Sequence, residues 1–163
     1  MGRLDGKVAV ITGATSGIGL RTAEIFIAEG AKIVIAGRRA QEGEALAKRL
    51  GPACLFRRTD VTIEDEVRAL IGEAVEKFGR IDSLFNNAGG PAQTGGIEGL
   101  EVARFDAAMA TLVRSVMLGM KHAAPQCAAR APAASSTTAA SPAGSPVFHL
   151  RSSMAPPRPR SFT

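Results

Sequence analysis

Thr12-Gly13-Ala14-Thr15-Ser16-Gly17-Ile18-Gly19 is the stretch on which the reading of this chain turns. Before it, Lys7-Val8-Ala9-Val10-Ile11-Thr12 is a short apolar, β-branched run that predicts a buried strand. After it, Ile18, Ala23, Ile25, Phe26 and Ala28 recur at helical intervals between Ser16 and Glu29, and Gly30 supplies the stop. A glycine-rich turn therefore joins a strand to a helix. Gly13, Gly17 and Gly19 let the backbone turn sharply and come close to an anion. The helix start at Gly17 presents free N–H groups and a positive dipole end to it. A glycine triplet alone is weak evidence, but between strand and helix it reads as a pyrophosphate site.

Outward from this turn the same alternation repeats. Lys32 to Ala36 predicts a second strand and Gln41 to Leu50 a second helix. Cys54 to Asp60 follows as a strand, then a helix from Thr62 with Asp65 as an acidic capping-box partner. Val67, Leu70, Ile71, Ala74, Val75 and Phe78 mark its apolar face. Ile81 to Asn86 is a fourth strand. A last helix carries Phe105, Met109, Leu112, Val113, Val116, Met117 and Met120 on one stripe. Strand and helix in turn predict an α/β fold, a parallel sheet with helices on both faces, because right-handed crossovers place a helix between neighbouring strands.

The composition changes character near Pro125. Residues 1–106 hold all 15 acidic residues against 14 Lys and Arg, whereas 107–163 hold none against six. Seven of nine prolines lie from Pro125 onward, and only one of 18 glycines lies beyond it. The chain divides into an ordered domain over 1–125 and a tail over 126–163, and four of the five net positive charges lie in the tail. Of the 38 tail residues 22 are Ala, Ser or Pro, so an irregular, disordered segment is expected.

Three motifs in register carry a family resemblance. Thr12-Gly13-x-x-x-Gly17-Ile18-Gly19, Asp60-Val61 after the third strand, and Asn86-Asn87-Ala88-Gly89 after the fourth resemble the short-chain dehydrogenase/reductase family over roughly residues 4–125. The resemblance implies an NAD(P)-dependent oxidoreductase acting on an alcohol or carbonyl, built as a three-layer Rossmann-type domain, here incomplete at about four strands. It implies that Thr12, Gly13, Thr15, Ser16, Gly17, Ile18 and Gly19 hold the pyrophosphate. It further implies that Asp60 and Val61 flank the adenine, and that Asn87, Ala88 and Gly89 line the cofactor's inner edge. Without its companions, Asn86-Asn87 would read as a turn with side-chain caps.

Cofactor choice should be decided at the end of the second strand. An acid there, about 20 residues past the glycines, would accept the ribose hydroxyls and favour NAD. The chain has Ala36-Gly37-Arg38-Arg39 instead. No carboxylate opposes a 2′-phosphate, and two guanidiniums are available to pair with one, so NADP is favoured over NAD.

The family's chemistry needs a tyrosine as acid/base and a lysine four residues on, whose charge lowers the tyrosine's pKa. This chain has no tyrosine, and its last lysine is Lys121. Leu112 stands near the place of the family's assisting asparagine. No catalytic residue is therefore assigned.

A shifted reading frame accounts for the gap. Regrouping the codons by one base lets Ala134 to Ala143 encode Ser-Ile-Ile-Asn-Asn-Gly-Ser-Val-Ala-Gly, which looks like the family's fifth strand and its serine. Ser153 to Arg158 then permits Tyr-Gly-Ala-Ala-Lys, with its glycine codon forced by Met154-Ala155. The switch would fall between about His122 and Cys127, and the fourth strand would lose its neighbour.

Other classes fit less well. Arg130, Arg151, Arg158 and Arg160 are sparse, with only Phe148 and Phe162 beside them, so no nucleic-acid arm is expected. The apolar runs are too short to span a bilayer, and the residues from Met1 to Lys7 lack the apolar stretch of a secretory signal, so none is expected. Cys54 and Cys127 have neither metal-ligand spacing nor disulfide density, so no metal site is expected and the cytoplasm is the default. The glycine-rich Pro91 to Gly99 reads as a loop near the site. The resemblance also implies a homo-oligomer through the 105–120 helix. The alternative is a non-catalytic nucleotide-binding module with a natural, flexible, basic tail.

Overall fold

Val10, Ile11, Ile33, Val34 and Ile35 are completely buried, because the two strands that carry them have helices on both sides. The computed structural model describes residues 2–90, 96–128, 136–139 and 148–151. In it β1 (Val8–Thr12), β2 (Lys32–Gly37), β3 (Cys54–Arg58) and β4 (Ser83–Asn86) pair in parallel in the order β3-β2-β1-β4. Val10 stands beside Val34 and Leu84, and Ile11 beside Ile35 and Phe85. Strands buried on both faces read as continuous apolar runs, which is why β1 and β2 show no polar alternation.

The helices are α1 (Gly17–Ala28), α2 (Ala40–Leu50), α3 (Glu64–Phe78), α4 (Val102–Met109) and α5 (Ser115–Ala128). Ala9, Ile11, Ile33 and Ile35 pack against Leu20, Ala23 and Phe26 of α1 and Leu46 of α2. On the other face Val10, Val34, Ala36 and Leu84 meet Leu70, Ile71 and Ala74 of α3 and Ala123 of α5. These are the three layers expected of a Rossmann-type sheet.

Four features depart from the sequence reading. Thr62 and Asp65 form no capping box. Helix α3 starts at Glu64 without a side-chain cap, and Thr62 instead donates its N–H (2.9 Å) and hydroxyl (2.7 Å) to Asp60 Oδ1. An Asx turn closed two residues back has captured the donor that the box would use. The last helix is not continuous either. A π-helical turn over Ala110–Arg114 separates α4 from α5, and its wider turn shifts the register of the core-facing side. Ser115, Leu118 and Ala123 are buried, while Phe105, Met109, Val113 and Met117 of the expected stripe are exposed.

The other two departures concern the composition break and the sheet edge. Helix α5 runs through Pro125 to Ala128, past the break in composition. Strand β4 is not an open edge: β5 (Ser136–Ala139) pairs with it in parallel, and β6 (Phe148–Arg151) pairs with β5 antiparallel. An edge of free N–H and C=O groups takes a backbone partner whatever its side-chain pattern. The remainder of the expected irregular tail, 129–135, 140–147 and 152–163, lies outside the described residues.

Candidate functional site

The connection from β1 leads to β2 on one side, while β4 lies against β1 on the other. Where the strand order reverses in this way, loops part beyond the carboxyl ends of the strands and leave a crevice. Two glycines let its walls close up. Gly13 has φ +65°, and a Cβ there would lie 2.7 Å from the Ala88 Cα. A Cβ on Gly19 would lie 2.5 Å from the Gly13 carbonyl oxygen. Thr12 and Asn87 stitch the same contact. The Thr12 hydroxyl accepts the N–H groups of Asn87 and Ala88, both at 3.0 Å. The Asn87 amide donates back to the carbonyls of Thr12 (3.2 Å) and Gly13 (3.1 Å).

The resulting cleft has a volume of about 550 Å³, within the range of small-molecule sites. Gly13, Thr15, Ser16, Gly17 and Ile18 line it from the β1–α1 turn, Arg38 and Arg39 from the end of β2, Asp60 and Val61 from the end of β3, and Asn87, Ala88 and Gly89 from the end of β4. Thr12 and Gly19 are buried behind this lining and hold the turn in place. The sequence reading missed Gly37, Thr59, Thr62 and Thr111 as lining residues. The threonines carried no signal beyond turn and helix propensity, and Thr111 reaches the cleft from the π-helical turn. The expected loop over Pro91 to Gly99 is described only from Gly96, with a 3₁₀ turn at Ile97–Gly99.

The cleft is electropositive at its β2 end. Arg39 Nη2 donates to Thr15 Oγ1 (2.9 Å) and Ser16 Oγ (2.8 Å), which draws one guanidinium and two hydroxyls together. The first carboxylate beyond β2 is that of Glu42, 3.9 Å from Arg39 Nη1. Across the cleft, partial burial works to raise the Asp60 pKa, but the two Thr62 hydrogen bonds and the charges of Arg38 and Arg58 outweigh it and hold it below the usual value. Asp60 is therefore an anion whose Oδ1 is held by Thr62. Convergent N–H groups, hydroxyls and a guanidinium suit a phosphorylated ligand. Among the described residues no cluster of His, Cys, Asp and Glu could hold a metal ion, and no helix is long and apolar enough to cross a membrane.

Comparison with known proteins agrees with this geometry. The short chain dehydrogenase family model matches residues 7–150. The chain is 44% identical over 124 residues to tropinone reductase-like 2 of Erythroxylum coca, covering 74% of this chain and 45% of that protein. It is 43% identical over 123 residues to short-chain dehydrogenase reductase 3a of Arabidopsis thaliana, covering 75% and 48%. A crystal structure of 3-ketoacyl-(acyl-carrier-protein) reductase from Brucella melitensis complexed with NADH superposes with a TM-score of 0.73 at 39% identity, covering 76% of this chain and 51% of that one. The chain belongs to the short-chain dehydrogenase family. It spans about half the length of the curated relatives it matches.

Proposed function

We propose that the cleft binds a nicotinamide dinucleotide, and that this polypeptide by itself transfers no hydride. The reading rests above all on the turn over Gly13 to Gly19, locked to Asn87 and Ala88 at the sheet's switch point. The pyrophosphate lies at the start of α1, the adenosine between Arg38, Arg39, Asp60 and Val61, and the inner edge of the cofactor along Asn87, Ala88 and Gly89. NADP is preferred over NAD, since Arg38 and Arg39 stand where an acid would otherwise accept the ribose hydroxyls. When bound, the cofactor supplies a hydride to a carbonyl or takes one from an alcohol. The protein's part in that reaction is to hold a proton donor beside the substrate oxygen, and this chain has no tyrosine to do so.

The catalytic half is assigned to another frame of the same coding DNA, which would carry the serine and the Tyr-x-x-x-Lys pair on into further sequence. Pairing of Ser136–Ala139 with β4 favours the other reading, a non-catalytic nucleotide-binding module whose tail joins its own sheet. Reading the DNA across His122 to Thr163 in three frames separates the two. We further assign the chain to the cytoplasm, and the exposed Phe105, Met109, Val113 and Met117 to self-association.

A fluorescence titration with NADPH and NADH tests the binding. Saturation by NADPH, with weaker saturation by NADH and no oxidation of NADPH by simple carbonyl compounds, is expected. Absence of saturation by either dinucleotide overturns the reading, and turnover overturns the claim of inactivity.

A further inference from the structure

Helix α5 touches two cleft loops that leave strands standing three places apart in the sheet. Leu118, 3% exposed, forms one buried cluster with Val61 and Val67, against which Ala88 packs. Val61 belongs to the β3–α3 loop and Ala88 to the end of β4, and both line the cleft. Three polar contacts run from the same helix and the π-helical turn before it to Thr62 in the β3–α3 connection and to Glu64 at the start of α3. Arg114 Nη2 donates to the Thr62 carbonyl at 3.4 Å, Lys121 Nζ to Glu64 Oε1 at 2.7 Å, and His122 Nε2 lies 3.1 Å from that same oxygen. Thr111, also on the π-helical turn, lines the cleft directly.

We propose that α5 is the brace of the cleft: Leu118, with Arg114 and the Lys121–Glu64–His122 cluster, fixes the Asp60–Thr62 loop and Ala88 relative to each other, so that these are positioning residues for the bound nucleotide. The proposal rests on the nucleotide-binding reading, and it assigns a role to a helix whose sequence carries no motif. An apolar wedge between two loops sets their spacing because close-packed side chains deform little. The exposed Lys121–Glu64 ion pair acts more weakly, screened by solvent, and together with the Arg114 and His122 contacts it keeps the helix from sliding along its axis.

The test is hydrogen exchange on the unliganded chain, followed by titration with ADP. Three variants are compared with the wild type: Leu118→Ala, the double variant Lys121→Met with His122→Gln, and Lys121→Arg. In the double variant, amides of Asp60, Val61 and Thr62 should exchange about fivefold faster, the scale of a surface ion-pair network, while those of β1 and β2 stay unchanged. In Leu118→Ala the increase should extend to Ala88 and Gly89. ADP affinity should fall as exchange rises, and Lys121→Arg, which keeps the cation, should leave both as in the wild type. Unchanged loop amides in a folded Leu118→Ala overturn the proposal. So does a uniform rise across the whole sheet, which marks a merely structural role. Exchange needs no nucleotide, so it decides the brace even if the wild-type chain binds no ADP, a result that would count against the binding reading instead.

Discussion

The Asn87 side-chain amide donates to two successive carbonyls of the glycine turn, Thr12 at 3.2 Å and Gly13 at 3.1 Å. One side chain thereby ties the end of β4 to the turn after β1. Asn87→Ala leaves both carbonyls without that donor, at a cost of about 1–3 kcal/mol. Denaturant unfolding should show the loss. A variant as stable as wild type would mean that other groups hold the turn.

Gly13 tolerates no side chain. Its positive φ costs an L-residue about 1–2 kcal/mol, and a Cβ would run into Ala88. Gly13→Ala should therefore lose stability, and in whatever fraction stays folded the turn should be pushed away from β4. NADPH titration of the purified variant should show binding weakened at least tenfold, whereas wild-type affinity would remove Gly13 from the account.

Arg39 should set the preference between the two dinucleotides. Loss of a charge-assisted contact costs about 1.5–3 kcal/mol, so Arg39→Ala should weaken NADPH binding by roughly 10- to 100-fold and NADH binding far less. Parallel titrations measure the ratio. An equal loss for both would make Arg39 only a prop for the Thr15 and Ser16 hydroxyls.

Cys54 should be inert. Burial pushes its thiol up to about 12, and the thiolate is the reactive form. After treatment of the native chain with iodoacetamide at mildly alkaline pH, peptide mapping should find Cys54 unmodified, with labelling only after unfolding. Rapid labelling of the native protein would show that β3 opens readily.

Asp60 should contribute to acid sensitivity. Its folded pKa lies below the ordinary value of 3.8, so its stabilisation is present above that value and is lost as the pH falls through the folded pKa. Solvent still reaches the half-buried side chain and screens it, and the effect is correspondingly small. Asp60→Asn should flatten the stability profile below about pH 4. An unchanged acid limb would mean that other carboxylates carry the effect.

Much of this was legible in the sequence because it depends on local pattern. The β-branched runs mark β1 and β2 to within a residue or so, and the spacing from Gly13 to Asn87 brings the motifs to one end of the sheet. What stayed hidden depends on competition or on long-range fit. Whether Thr62 bonds forward to Asp65 or back to Asp60 is settled by how the β3–α3 loop closes. The π-helical turn before Ser115 has no signature in the sequence, so the apolar stripe from Phe105 looked like a core face. For the same reason Thr111 gave no sign of facing the cleft. Pairing of Ser136–Ala139 with β4 is made by backbone groups, to which residue patterns are nearly blind.

Hydrogen exchange with and without saturating NADPH reads the occupancy of the cleft segment by segment. Dinucleotide binding should add protection at the amides from Gly13 to Gly19, at Asp60 to Thr62 and at Asn87 to Gly89, with little change in α2. Protection confined to other segments, or none at concentrations that saturate relatives of full length, would contradict it.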